Sequence, residues 1–475
     1  MVAKKRLDLA TNKSQGLYYL PMRILLIEPN KMERTIGSED LFMFEPLALE
    51  YIAAGVTDNH DVRVLDMRID KALEQALEDF RPDIVGITSY TSTSRRAKEI
   101  AGRIKAINRK ILTIIGGHHA TVAPSDFYVN DIDIVVIGHG IDSFREIAIA
   151  AESGSSFDRI NGLAIKSGEK WILTGEREDR DLDSYPFPVR KLTNRYRHNY
   201  FFEYMRPMAS IKTSQGCFSR CNFCSLWRLT KGRYITRSPE SILEELKLIQ
   251  EENIFFADDE SMADTNRMMS LARMIRESGI RKRYFLHARS DTIVKSPELF
   301  EAWKDIGLSI VFVGIESHKD RDLAGINKGT TTRINEEAVR ILDSAGIDIY
   351  ATFMIDPGYI KEDFRSLAGY IRDLRLKFPR IFVLTPLPGT GYYEEVKDKL
   401  ITKDTDLIDF VHTHIKTSLP LKTFYCEYAR LCLRSLSLAS ILKFLFKFRL
   451  RDILPTIYKI WKVRRRIRLA YLDYG

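Results

Sequence analysis

Between residues 22 and 150 the apolar positions come in short blocks, not long runs. Arg23-Ile24-Leu25-Leu26-Ile27-Glu28 and Ile84-Val85-Gly86-Ile87-Thr88 are continuous apolar stretches of strand length. Such runs belong to strands buried on both faces. Residues 62–65, 111–115 and 132–137 repeat the pattern. Between them, residues 46–56, 72–80 and 97–107 space their apolar side chains three and four apart, as amphipathic helices do. Strand and helix in alternation predict an α/β domain with a doubly wound parallel sheet. Residues 163–173, with Gly168 in the middle, predict a hairpin. Residues 181–189 carry two prolines and predict an extended segment.

A second alternating series runs from 209 to 395. Strands are predicted at 209–214, 254–257, 284–288, 310–314, 349–355 and 381–385, and helices at 239–250, 266–278, 297–306, 335–345 and 361–376. Six β-α units predict a partial, open (βα)6 barrel, whose chemistry belongs at the carboxyl ends of the strands. Beyond 395, residues 433–471 alternate Leu, Ile and Phe with Lys and Arg and predict basic amphipathic helices, which either lie on an anionic membrane or form a helical cap with a solvated basic face. The expected organisation is an arm over 1–21, a sheet domain over 22–150, a connector over 151–208, a barrel over 209–395 and a helical, basic region over 396–475. The aromatics of 196–205 read as packing residues.

The totals agree with this layout. A chain of 475 residues is long enough for two or three domains with real cores. Five cysteines in no even framework argue against a secreted disulfide scaffold. The first 16 residues are basic without an apolar core, so no signal peptide is expected. No apolar run of about 18 residues predicts a membrane-spanning helix. The expected location is a reducing cytoplasm, with peripheral placement on the inner face of the membrane. The formal charge of +9 is modest, but ten basic residues crowd the C-terminal end. They are Lys443, Lys447, Arg449, Arg451, Lys459, Lys462, Arg464, Arg465, Arg466 and Arg468. That asymmetry points to an anionic surface as partner. No nucleic-acid-binding motif accompanies it.

The candidate chemistry centres on Cys217-Phe218-Ser219-Arg220-Cys221-Asn222-Phe223-Cys224, which holds three of the five cysteines in C-x3-C-x2-C spacing. Thiolates are soft ligands for iron–sulfur clusters or zinc. Three are one short of a closed four-ligand site, and an open position is the mark of a metal that meets substrate. The plainer reading is a structural zinc knuckle, which needs Cys426, Cys432 or a distant histidine as fourth ligand. Otherwise Cys426 and Cys432 are expected to be buried thiols. Polar residues recur at the other barrel strand ends: Asp258-Asp259-Glu260, Arg289-Ser290-Asp291, Gly314-Ile315-Glu316-Ser317 and Asp356-Pro357-Gly358. In the first domain the strand ends carry Thr88-Ser89, Gly116-Gly117-His118-His119 and Gly138-His139-Gly140. Glycines there let backbone approach a bulky ligand. No G-x-G-x-x-G follows the first strand, which lowers a dinucleotide reading.

The cysteine spacing, with an aromatic before the last cysteine, resembles the radical S-adenosylmethionine (SAM) superfamily. That resemblance implies that Cys217, Cys221 and Cys224 hold three irons of a [4Fe-4S] cluster. SAM would chelate the fourth iron through its amino and carboxylate groups and be cleaved to methionine and a 5′-deoxyadenosyl radical. It further implies adenine packing by Phe223, ribose or methionine contacts at Gly314, Glu316 and Ser317, and polar SAM contacts at Asp258, Asp259 and Arg289. A strand-end cap or salt bridge is the plainer reading of each. The first domain, on Glu45-Pro46-Leu47-Ala48, the Gly86–Tyr90 strand end and Gly116–Thr121, resembles the cobalamin-binding domain that precedes many radical SAM domains. The implied contacts are Pro46, Thr88, Ser89, Gly116, Gly117, His118, Gly138 and Gly140. A flavodoxin-like module that binds nothing is the plainer alternative. The D-x-H-x-x-G signature is absent, so no protein histidine is expected on cobalt. His118, His119 and His139 read as hydrogen-bonding loop residues.

Together the two parts resemble cobalamin-dependent radical SAM enzymes, most of which are methyltransferases, and in organisation hopanoid C-3 methylases. The segments that carry the latter resemblance are Glu45–Tyr51, Gly314–Ser317, Leu384–Thr390 and the long C-terminal tail. The resemblance implies methyl transfer to an unactivated carbon of a small-molecule, lipid-like substrate. It also implies an electron donor such as ferredoxin or flavodoxin and a peripheral membrane contact. Oxidative cyclisation or rearrangement is the alternative within the group. A non-catalytic zinc- or cofactor-binding protein is the alternative outside it.

Overall fold

The computed structural model describes residues 21–37, 39, 41–178, 180–436, 441–442, 446–448 and 450–474. The expected arm over 1–21 lies almost entirely outside the described residues. So do Lys443 and Arg449 of the basic tail.

Seven strands form the first sheet: β1 (Arg23–Glu28), β2 (Asp61–Asp66), β3 (Ile84–Thr88), β4 (Leu112–Gly116), β5 (Ile134–Val136), β6 (Leu163–Ser167) and β7 (Lys170–Leu173). They lie in the order β2-β1-β3-β4-β5-β6-β7. The first five are parallel. The predicted hairpin, β6 and β7, does not stand apart in a connector: it joins the sheet edge antiparallel to β5. Strand alternation sorts the core onto two faces. Leu25 and Ile27 pack on one side with helices Leu73–Phe80 and Ser94–Ile107. Ile24 and Leu26 pack on the other with helices Leu47–Ala54 and Gly140–Ser153. This is why the strands read as continuous apolar runs. The segment 181–189 is not extended throughout, since Leu182–Ser184 makes a single 3-10 turn.

The second unit is built on six parallel strands in sequence order. They are β8 (Met208–Ile211), β9 (Asn253–Phe256), β10 (Arg283–His287), β11 (Leu308–Glu316), β12 (Asp348–Ile355) and β13 (Phe378–Val383). Sequential parallel strands joined by helices are the partial barrel expected from the sequence. The outer faces of the strands share one large core with the helices, including Ile254, Phe256, Leu286, Trp303, Val311 and Phe353. The opposite face is aromatic: Phe255, Phe285, Phe312 and Tyr350 pack with Phe202 and Met205. Residues Phe201–Phe202 pair antiparallel with Phe42–Met43 to make a small ribbon against that face. The aromatics of 196–205 therefore pack.

Helix Leu421–Arg434 lies on helix Lys361–Asp373, and helix Leu450–Leu469 lies on helix Leu421–Arg434. Ile467 and Ala470 enter the barrel core, and Val463, Tyr471 and Tyr474 pack against it. Cys426 and Cys432, expected as buried thiols, are half-buried, and Cys432 packs against the core.

Candidate functional site

In the first unit the strand ends are tied to one another. Gly117 has φ 99°, and a Cβ there would lie 2.7 Å from Oγ1 of Thr88 and 2.9 Å from the Ser89 nitrogen. Only glycine lets the two loops approach so closely. The His119 N–H donates to the Ser89 carbonyl at 2.9 Å. The Gly138 N–H donates to Oγ1 of Thr121 at 3.0 Å, and Thr121 in turn donates to the Gly117 carbonyl. Thr88, Ser89, Gly116, Gly117 and Gly138 thus form one hydrogen-bonded rim. A Cβ on Gly138 (φ 84°) would meet nothing within 4 Å, so the rim stays open where a large planar ligand could rest. Gly140 starts helix Gly140–Ser153. Pro46 precedes helix Leu47–Ala54, where its carbonyl accepts from Leu49 and Glu50.

The histidines of the rim divide. His119 is fully buried, with its two ring nitrogens 3.1 Å from Oγ1 of Thr91 and 2.9 Å from Oδ2 of Asp126. His118 stacks near Tyr90 and His139 near Tyr185. Open glycine backbone and a committed histidine fit a cobalamin held without a protein nitrogen on cobalt.

In the second unit the cysteine loop leaves the barrel just after β8. Asp258, at the end of β9, holds the root of that loop. Its Oδ1 accepts from the N–H groups of Thr213 (2.7 Å) and Ser214 (2.9 Å), and its Oδ2 from Oγ1 of Thr213. Asp259 accepts from the Gly216 N–H at 2.7 Å. Both carboxylates position the loop. Gly216 (φ 96°) admits no side chain, because a Cβ would lie 1.8 Å from the Arg233 carbonyl.

The three cysteines are free and half-buried. Burial first, and the neighbouring Cys221 and Cys217 after it, push the Cys224 thiol up to about 12. Thiols close enough to raise one another gain when bound iron takes their protons. Among the described residues no three His, Cys, Asp or Glu side chains converge on a single ion. The donor set, three sulfurs and nothing harder, fits an iron–sulfur cluster.

A cavity of about 390 Å³ opens beside Cys217, with Glu260, Arg289 and Asp291 in its wall. Glu260 is 3% exposed, and its Oε1 has no hydrogen-bond partner. Burial raises this carboxyl to about 8, with Arg289 opposing. Arg289 donates through Nε to Asp291 (2.8 Å) and through Nη2 to the Lys328 carbonyl (2.8 Å). Burial works against its charge, but Asp291, Cys221 and Cys217 outweigh that and its pKa is raised. A buried carboxyl and a guanidinium beside a cysteine cluster can receive the amine and carboxylate of an amino acid.

The remaining predicted residues lie at the same strand ends. Glu316 has a left-handed backbone (φ 62°), where the ladder between β11 and β12 shifts register. Its Oε1 takes a hydrogen bond from Nζ of Lys328 at 2.8 Å. Gly314 lies beneath that pair, since a Cβ there would come 2.5 Å from Nζ of Lys328. Ser317 donates to Asp322 at 3.1 Å and accepts from the Lys319 N–H. Phe223 is half-buried, whereas Phe218 is the ring that lines the cavity.

Glu260 and Lys328 escaped the sequence reading. The run Asp258-Asp259-Glu260 was visible, but strand alternation stops at Phe256. Nothing in the spacing says which of the three carboxyls faces inward. Lys328 sits twelve residues beyond its partner, with no periodic signal.

Two family models match the chain. Residues 34–148 match the B12 binding domain and residues 211–371 the Radical SAM superfamily. The chain therefore carries the two domains of a cobalamin-dependent radical SAM enzyme, with a [4Fe-4S] cluster, SAM and cobalamin as cofactors. It resembles the hopanoid C-3 methylase of Methylococcus capsulatus, with 29% identity over 86% of this chain and 79% of that protein. The anaerobic magnesium-protoporphyrin IX monomethyl ester cyclase of Cereibacter sphaeroides is 26% identical over 82% of this chain and 66% of that one. Among solved structures, the cobalamin-dependent S-adenosylmethionine radical enzyme OxsB, with aqua-cobalamin and SAM bound, shares the fold. Its TM-score is 0.72 at 15% identity, over 99% of this chain and 76% of that chain.

Proposed function

We propose that this enzyme methylates an unactivated carbon of a small, lipid-like substrate of hopanoid type. The observation that carries the substrate class is the aromatic inner face of the barrel. Phe312 and His287 stand half-buried there beside Phe255 and Phe285. Burial lowers the His287 pKa, and its Nδ1 lies 2.6 Å from the Asp258 carbonyl. Such a wall suits a rigid hydrocarbon better than a charged metabolite. The likeness to a hopanoid C-3 methylase supports the same class.

When bound, the cofactors supply a radical for hydrogen abstraction and a methyl group for transfer, chemistry that suits a carbon with no acidic proton. The chain's own part is placement. In this reading Cys217, Cys221 and Cys224 hold the cluster. Glu260 accepts from the SAM amine and Arg289 pairs its carboxylate. Asp258 and Asp259 fix the loop that presents the cysteines. The rim of Thr88, Ser89, Gly117 and Gly138 carries the cobalamin. An external donor such as a ferredoxin or flavodoxin supplies electrons. The C-terminal helix rests on the inner membrane face, where a lipid substrate would be met. Cyclisation, the activity in the name of the Cereibacter sphaeroides relative, is the second reading.

The test compares lipid extracts of a deletion strain and its parent, then supplies the missing precursor to purified enzyme with SAM labelled in its methyl group. Methyl transfer predicts a product one labelled methyl heavier. A product that has lost hydrogens and gained no label selects cyclisation. A missing compound in the polar extract, with lipids unchanged, overturns the lipid class.

A further inference from the structure

Between the end of β11 and helix Thr332–Ser344 the chain passes beside the cysteine loop and is stitched to it on both sides of Cys221. Nδ2 of Asn327 donates to the Arg220 carbonyl at 2.7 Å. The Asn222 N–H donates to the Ile326 carbonyl at 3.1 Å, and Nδ2 of Asn222 to the Gly325 carbonyl at 3.1 Å. Asn327 itself holds a left-handed backbone (φ 51°), a conformation asparagine tolerates better than most side chains. The next residue, Lys328, is 8% exposed, with its ammonium 2.8 Å from Oε1 of Glu316. Gly314 leaves the room that this pair occupies. Arg289 then clamps the Lys328 carbonyl from the far side. A lysine buried this completely is costly unless paired. Burial does oppose its charge, but Glu316 and then Cys221 outweigh that, and its pKa is raised. The ammonium is therefore a fixed positive charge within electrostatic reach of one cysteine of the triplet.

We propose that Lys328 is a positioning residue that sets the reduction potential of the iron–sulfur cluster, with Glu316 fixing where its charge stands. The proposal rests on the reading that Cys217, Cys221 and Cys224 hold that cluster. Taking up an electron makes a cluster more negative, so a nearby cation favours the reduced form and raises the potential. Glu316 offsets part of that effect and stops the ammonium from turning to solvent. Hydrogen bonds from the 325–328 segment hold the Cys221 backbone at constant distance from the charge.

The test is a redox titration of anaerobically reconstituted full-length protein, followed by the electron paramagnetic resonance of the reduced cluster. Iron and sulfide are counted on the same samples. K328Q should load iron like the wild type and show a lower midpoint. K328R keeps the charge and should titrate near the wild type. E316Q removes the negative member and should titrate higher. Wild-type midpoints in both K328Q and E316Q at full iron content would overturn the proposal. Should K328Q fail to load iron, K328R and E316Q decide: an unchanged midpoint in E316Q, or one shifted downward, overturns it. A protein that binds zinc and no iron in every version overturns the cysteine reading itself. That outcome is read from the metal count and not from the midpoints.

Discussion

Nε2 of His119 lies 2.9 Å from Oδ2 of Asp126, and the pair closes the strand-end loop after β4. The hydrogen bond with His119 holds the Asp126 carboxyl below the usual carboxylate range. Thr91 takes the other ring nitrogen. An imidazole engaged at both nitrogens has no lone pair left for a metal. The cob(II)alamin form should show an electron paramagnetic resonance spectrum without nitrogen splitting from a lower ligand. H118A and H139A should leave it unchanged. Splitting that disappears in either variant would place that histidine on cobalt.

Replacing any one of Cys217, Cys221 or Cys224 by alanine should abolish the cluster and spare the first unit. Anaerobic wild-type protein should carry about four irons and four sulfides per chain. Each variant should fall close to none while binding cobalamin as before. C426A and C432A should keep full iron, since these half-buried thiols lie on helix Leu421–Arg434 and not in the loop. Loss of iron in C426A or C432A, with iron kept in C217A, would reverse the assignment.

Glu260 gives a pH dependence with a definite sign. Its carboxyl is raised to about 8 in the fold, against about 4.5 for the ordinary group. A raised acid costs stability as it ionises, so the cost is absent below the ordinary value, grows as pH climbs, and is complete above about pH 8. By linkage that cost is on the order of several kcal/mol. E260Q should match the wild type in thermal unfolding near pH 4.5 and unfold at a higher temperature above pH 8. SAM binding should respond in the opposite sense. The ionised carboxylate is the better acceptor for the amine, so wild-type affinity should rise with pH towards about 8. E260Q should bind about tenfold more weakly, with a flat profile, the loss expected for one charge-assisted hydrogen bond. Calorimetric titration with SAM reads both, and equal affinity at every pH would remove Glu260 from the site.

The two sheets were legible because their strands are buried on both sides, and such strands announce themselves as apolar runs. The site was legible only as a set of strand ends. Alternation fixes which side chains face inward along a strand. It is silent once the chain turns, and Asp258, Asp259 and Glu260 all lie past Phe256, the end of β9. Asp258 and Asp259 turned out to hold the cysteine loop, and Glu260 to face the cavity. The hairpin over Leu163–Leu173 was recognised from its period and glycine. Its place at the sheet edge was not, because pairing across β5 and β6 joins residues far apart in sequence. Gly314 was read from sequence only as a SAM contact, and the room it leaves for an ion pair made by residues 316 and 328 had no signal there.

The basic C-terminal helix was read from sequence as either a membrane-binding face or a cap on the barrel, but its two faces do different things. Ile467 and Ala470 are in the barrel core, and His412 is held between Asp409 and Asp473 at the chain's end. One face is a cap. The other leaves Leu450 89% and Leu454 77% exposed, with Phe446 at 85% just before them. Ile457, Tyr458 and Trp461 are also exposed. Arg451, Arg465 and Arg468 share the helix. No helix among the described residues is long and apolar enough to cross a membrane. A truncation near residue 435 would strip the core of Ile467 and Tyr474 and report on folding. The informative variant is L450S/L454S with Phe446→Ser, which touches only exposed positions. Wild-type protein should sediment with anionic vesicles more than with neutral ones, and less so at high salt, because each basic residue near the surface is worth about 1 kcal/mol. The triple variant should lose the part of binding that salt does not remove, while keeping wild-type iron, cobalamin and melting temperature. Undiminished sedimentation of that variant would leave the exposed stripe without a lipid partner. It would also weaken the case for a substrate drawn from the membrane.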